Sequence, residues 1–119
     1  KTPPYQEPEK AGEFILNKMK EYLSVSPVIA LVLQGVHSVG IVRKLVGSTE
    51  PLTSDVGTIR GDLTIDSYEL ADLDQRAVRN LVHASGNVEE AKKEINLWFK
   101  EDELHDYKLM NEKVLYERW

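Results

Sequence analysis

Within the stretch RNLVHASGNVEEAKKEINLWF, residues 79–99, a histidine and a glutamate stand at His83 and Glu94. A neutral imidazole is a good nucleophile, and a neighbouring carboxylate can hold it in one tautomer. Each residue also has a plainer reading. His83 closes the apolar run Leu81-Val82-His83-Ala84, where a histidine is most often a satisfied core or edge residue. Glu94 falls beside Ala91, Ile95 and Trp98, the stripe that helical spacing turns inward. Burying an ionised carboxylate there is costly unless it is paired. Periodicity alone therefore puts Glu94 at the edge of the stripe, reaching water. The sharper reading pairs it with His83 at a junction between strand and helix, a common place for sites in α/β sheets.

A second group of residues could handle phosphate. Arg43, Thr49 and Arg60 flank a segment rich in glycine and hydroxyl groups. Two planar guanidinium forks and a hydroxyl would make an oligophosphate cradle. The ordinary alternative for each arginine is a surface ion pair. The pattern G-x-x-x-x-G-K-[ST] does not occur, so a Walker-type nest is excluded. His37 and His105 have no metal-ligand spacing to another histidine. The chain has no cysteine, which rules out disulfides, thiolate chemistry and cysteine-based zinc sites.

The elements that must position these groups are read from period and punctuation. The residues KTPPYQEP read as a tail. Residues 9–23 carry Phe14, Ile15, Met19, Tyr22 and Leu23 at helical spacing. VIALVL, residues 28–33, reads as a strand buried on both faces. Residues 37–46 read as a short helix with Gly47 as terminator. Residues 47–66 read as a long loop, ordered around Val56 and Ile59. A weak helix is expected in SYELADLDQRAV and a short strand over 80–84. A further helix is expected over 87–99, capped by Asn87 with Glu89 and Glu90 in its first turn. EDELHDY reads as a helical turn.

With 119 residues the chain is expected to be one domain, 1–119, and 41% apolar against 29% charged residues fits a globular rather than a disordered protein. A net charge of -5 disfavours nucleic acid or an anionic membrane as partner. The longest apolar stretch, Pro27 to Leu33, is too short to span a bilayer, and the simplest setting is cytoplasmic. An RNA binder would want exposed aromatics on a basic sheet, and the sequence suggests neither.

Taken together and in order, RKLVGSTEP, GTIRGD, NLVHASGNVEEAKKEI and LWFKEDELHDY closely resemble nucleoside diphosphate kinases, and the archaeal-type members most of all. The resemblance covers about residues 9–116. It implies a ferredoxin-like βαββαβ α/β sandwich with an antiparallel sheet. It also implies transfer of the γ-phosphate from a nucleoside triphosphate to a nucleoside diphosphate by a ping-pong route through a phosphohistidine, with Mg²⁺. By position, His83 matches the phosphorylated histidine, Glu94 the glutamate bonded to it, and Ser85 the serine beside it. Arg43, Thr49 and Arg60 match the phosphate-binding residues, and Asn80 the asparagine at the sugar and phosphate end. Ile15 and Met19 fall where the family clamps the base. The family is oligomeric, usually hexameric, so a homo-oligomer is implied.

The sequence departs from the family at three places. The family motif Asn-x-x-His-Gly-Ser-Asp is here Asn80-Leu81-Val82-His83-Ala84-Ser85-Gly86. The aromatic position of the base clamp falls at Ile15, with Phe14 one register step away as the alternative. The family's Lys-Pro-Asp-Gly strand does not occur, nor do its first helix and second strand, which implies an N-terminally incomplete member, the C-terminal portion of the fold. A non-catalytic nucleotide-binding or assembly module is the competing expectation on that ground.

Overall fold

The computed structural model describes residues 8–117, and among them every regular element is helical. The first helix, α1, runs Pro8–Leu23 and opens on a proline, whose fixed φ suits a first helical turn. Helix α2, Ser38–Val46, ends at Gly47, whose φ of 90° is open to glycine and strained for other residues. Helix α5, Val88–Trp98, starts where Asn87 accepts a hydrogen bond from the Glu90 amide. These three helices and the Asn87 cap follow the sequence reading. The short helix α4, Tyr68–Leu73, is capped by Ser67, which accepts from the Leu70 amide.

The stretch read as a plain loop holds more order than expected. It contains a 3-10 turn at Pro51–Thr53 and a helix, α3, at Ile59–Leu63. Thr58 caps α3 by accepting from the Gly61 amide, an ST-type start that is easily missed in a run of polar residues. Of its two apolar islands, Val56 is 95% exposed, and Ile59 keeps contact with solvent. Beyond α5, a 3-10 turn at Glu101–Glu103 realises the helical turn expected there. The polar tail adds a short helix, α6, at Glu112–Tyr116. The expected tail in residues 1–7 lies outside the described residues.

The ferredoxin-like sandwich is not what the structure shows. No strand occurs among the described residues, and the antiparallel sheet is absent with it. The run at residues 28–33 is the clearest case: Ile29 is 88% exposed, and Val28, Leu31 and Leu33 are exposed beside it. Its sequence is strand-like, but a strand exists only through a ladder to a neighbouring backbone. Nothing among the described residues supplies that neighbour. Residues 80–84 are not a strand either: the chain turns at Leu81 instead. The stripe on α5 is likewise incompletely covered, since Trp98 is exposed and only Ala91 and Ile95 are half-buried.

What order there is centres on residues 46–82. Among the described residues Val46, Pro51 and Ala71 are buried apolar residues, and Arg60, Asp66 and Ser67 are buried polar ones. The Asp66 carboxylate accepts from both terminal nitrogens of Arg76, at 2.5 and 2.8 Å, and from the Arg79 amide at 2.7 Å. The Asp66 carbonyl accepts from the Leu52 amide, and the Glu50 carboxylate from the Tyr68 amide. These bonds tie the 3-10 turn, α4 and the segment leading to His83 into one frame.

Candidate active site

Local backbone geometry aims His83. Leu81 has φ 65°, and the Val82 amide donates across it to the Asn80 carbonyl at 2.8 Å. That is a tight turn in a conformation that costs energy in a non-glycine residue. It persists because neighbours hold it on both sides. The Leu81 amide donates to the Tyr22 hydroxyl of α1, the Val82 carbonyl accepts from Arg60, and the Asn80 side chain donates to the Thr49 carbonyl.

Two residues past the turn, His83 meets α5. Its Nε2 lies 2.7 Å from Glu94 Oε1, and the other Glu94 oxygen accepts from the Ser85 hydroxyl at 2.5 Å. Glu94 is thus an inward residue with both oxygens occupied, not the solvent-reaching edge residue that periodicity favours. Its side chain is 28% exposed, while that of His83 is 63% exposed. The Ser85 hydrogen bond, and then the bond and charge of His83, hold the Glu94 carboxyl below its usual value despite partial burial. With a carboxylate facing Nε2, the ring's proton belongs on that nitrogen, and the lone pair is left on Nδ1.

The two arginines are not surface ion pairs. Arg60 is buried and donates to the carbonyls of Gly47 at 3.1 Å and Val82 at 2.6 Å. Its buried Nε has no acceptor among the described residues. Arg43 is exposed and makes a long contact, 3.5 Å, to the Ala84 carbonyl. Burial, and then the charge of Arg43, push the Arg60 guanidinium below its ordinary value. Among the described residues neither arginine forms an ion pair with a carboxylate. Two close cations, one with an orphaned donor, make a place that favours an anion.

Of the remaining residues named from sequence, Asn80 and Thr49 are joined to each other, with Thr49 contributing its carbonyl to that contact. Ile15 and Met19 are half-exposed on α1, one turn or more before Tyr22. Tyr22 itself was read only as part of an apolar stripe, and its role against Leu81 depends on a fold no local pattern encodes. Glu90 was read as a favourable first-turn charge. Its carboxylate also reaches back to accept from the Gly86 amide at 2.6 Å. A side chain at Gly86 would place its Cβ 2.5 Å from that carboxylate, so glycine and Glu90 fit one another at the place where the motif departs from its family form.

Mg²⁺ takes oxygen ligands in octahedral array and keeps several waters. The imidazole of His83 stands against Glu94, so the pair does not offer Mg²⁺ the all-oxygen shell it prefers.

The sequence model of the nucleoside diphosphate kinase family matches residues 5–104. A nucleoside diphosphate kinase of Methanobrevibacter smithii is 40% identical over 109 residues, which cover 92% of this chain and 66% of that protein. One from Pyrobaculum aerophilum is 46% identical over 98 residues, 82% of this chain and 54% of that protein. The chain therefore spans between about half and two thirds of the length of these curated relatives. A solved kinase from Pyrobaculum aerophilum aligns with a TM-score of 0.81 at 45% identity, covering 83% of this chain and 54% of that one. A transition-state mimic of the Borrelia burgdorferi enzyme with bound vanadate and ADP aligns with a TM-score of 0.85 at 36% identity, covering 97% and 70%. The backbone thus follows the path of solved relatives even where no ladder forms. On these matches, the chain belongs to the nucleoside diphosphate kinase family.

Proposed function

We propose that this chain carries the phosphoryl-transfer site of a nucleoside diphosphate kinase, with His83 as nucleophile. The observation that carries the reading is the line Ser85–Glu94–His83 beside two arginines that form no ion pair with a carboxylate among the described residues. In the first half-reaction the Nδ1 lone pair of His83 attacks the γ-phosphorus. The P–O bond to the nucleoside diphosphate breaks, and an N–P bond forms. Glu94 holds the Nε2 proton and balances the positive charge that the ring gains. In the second half-reaction a terminal oxygen of another nucleoside diphosphate attacks, the N–P bond breaks, and the ring is restored.

Phosphoryl transfer needs mainly positioning and charge stabilisation. Arg60, buried and short of one acceptor, and Arg43, exposed at the rim, would receive the phosphate oxygens. Asn80 and Thr49 would line the sugar and phosphate end, and Ile15 and Met19 would contact the base. Mg²⁺, bound with the nucleotide, would neutralise charge on its phosphates. The vanadate and ADP in the Borrelia burgdorferi structure support a nucleotide substrate by similarity. A homo-oligomer is the assembly we propose. No helix among the described residues is long and apolar enough to cross a membrane, which is compatible with a cytoplasmic enzyme.

Incubation with ATP labelled at the γ-phosphate tests the reading. The chain should acquire label that is labile in acid, stable in alkali, and discharged by an added nucleoside diphosphate. His83→Ala should lower labelling by ~10⁴-fold or to background. Equal labelling of that variant would remove His83 from the mechanism. Nucleotide binding without any label would favour the non-catalytic module.

A further inference from the structure

We propose that His83, Glu90 and Glu94 form a site for a borderline divalent transition-metal ion such as Zn²⁺ or Co²⁺, and that the ion quenches the nucleophile. One ligand atom from each of the three residues lies within 4.8 Å of the other two. Glu90 and Glu94 are four residues apart on α5, so their side chains stand one above the other on a single face. One imidazole and two carboxylates form a donor set suited to zinc and its neighbours, and a poor one for Mg²⁺, which prefers oxygen alone. Ligand bonds of about 2.0–2.2 Å put two donors on one tetrahedral ion roughly 3–3.5 Å apart. His83 and Glu94, now 2.7 Å apart, need open only slightly, and the flexible Glu90 carboxylate swings in. Gly86 leaves the space in which that carboxylate sits. The charges of Arg43 and Arg60 oppose a bare cation. Both side chains are turned to backbone carbonyls, and the site itself brings two carboxylates.

The chemical consequence follows from the tautomer. A metal on Nε2 takes the position that the ring proton holds against Glu94. The neutral ring keeps one proton, now on Nδ1, and no lone pair remains to attack phosphorus. No electron transfer is involved. The quenching rests on the phosphohistidine reading; the binding does not.

Titrating the 119-residue chain with Co²⁺ and following its visible d–d absorption tests the site. The expected result is a saturable 1:1 spectrum of tetrahedral intensity that Zn²⁺ displaces and Mg²⁺ does not. Glu90→Gln keeps an acceptor for the Gly86 amide and should weaken binding about tenfold or more. Absence of a saturable spectrum, or unchanged affinity in Glu90→Gln, overturns the site. In a second arm, Zn²⁺ should suppress labelling by γ-labelled ATP in the native chain, and Glu90→Gln should resist it. Labelling undiminished at saturating Zn²⁺ overturns the quenching. A chain that never labels, even without Zn²⁺, counts against the phosphohistidine reading, and the Co²⁺ arm still decides the site.

Discussion

Glu94 is the residue whose meaning changes most between chain and fold. Its place beside Ala91 and Ile95 says only that it lies near a stripe, whereas the structure gives both its oxygens a donor. Removing the carboxylate charge in Glu94→Gln should slow phosphorylation by about 10²-fold in single-turnover measurements, the usual scale for one lost electrostatic partner. A rate equal to the native one would end its role in orienting the ring. Ser85 supports Glu94 and is the main cause of its lowered titration. Ser85→Ala should therefore raise the Glu94 titration towards the ordinary glutamate value of about 4.3, read directly from its carboxyl carbon by NMR. An unmoved titration would show that the hydroxyl leaves Glu94 unaffected. Arg60 and Arg43 could be named from a resemblance in the sequence. That one is buried and the other exposed could not, because burial is a property of what surrounds a residue.

At the scale of elements, α1, α2 and α5 were legible, α3 and α6 were not, and both expected strands are absent among the described residues. Asn87 and Gly47 announce the start of α5 and the end of α2 because capping uses the side chain or backbone freedom of a single residue. A Cβ on Gly47 would run into the hydroxyls of Ser54 and Thr58, on top of the strain of its φ. Gly47→Ala should thus displace the carbonyl that receives Arg60, lowering both thermal stability and nucleotide affinity; unchanged values for both would argue that the segment yields freely. The frame behind His83 depends on Asp66, whose carboxyl Arg76 holds well below the usual carboxylate range. A lowered folded value means that its contribution is complete above the unfolded value of about 3.9 and fades as pH falls towards the folded one. Asp66→Asn should cost about 3 kcal/mol in denaturant unfolding at pH 7, the low end for a broken buried pair because Arg76 keeps some contact with water. The gap from the native chain should narrow below about pH 4. A gap independent of pH would mean that the pair adds nothing through charge.

For the whole molecule the decisive quantity is uncovered apolar surface. The accessible surface is 10450 Å², against about 6,600 Å² for a folded monomer of this mass. The radius of gyration is 17.9 Å, against about 13.5 Å for a compact chain of this length. Val28, Ile29, Leu31 and Leu33 are exposed in one run, a surface that single soluble chains rarely leave open. The isolated chain is expected to self-associate, with a mass in sedimentation equilibrium that rises with concentration above 13.6 kDa. A single species of that mass at every concentration, with no binding of an apolar dye, would contradict this.

The sequence by itself determined helices α1, α2 and α5 and the Asn87 and Gly47 signals at their ends, because each follows from a residue's own chemistry or from neighbours within four positions. It also fixed the family, through motifs that lie on the site. The tertiary structure alone decided that Glu94 faces His83 and that Arg60 lies buried against the Val82 carbonyl. It decided too that Leu81 is held in a strained turn and that VIALVL has no ladder to join. Each of these depends on segments distant in the chain meeting, or failing to meet, and a hydrogen bond needs both of its partners.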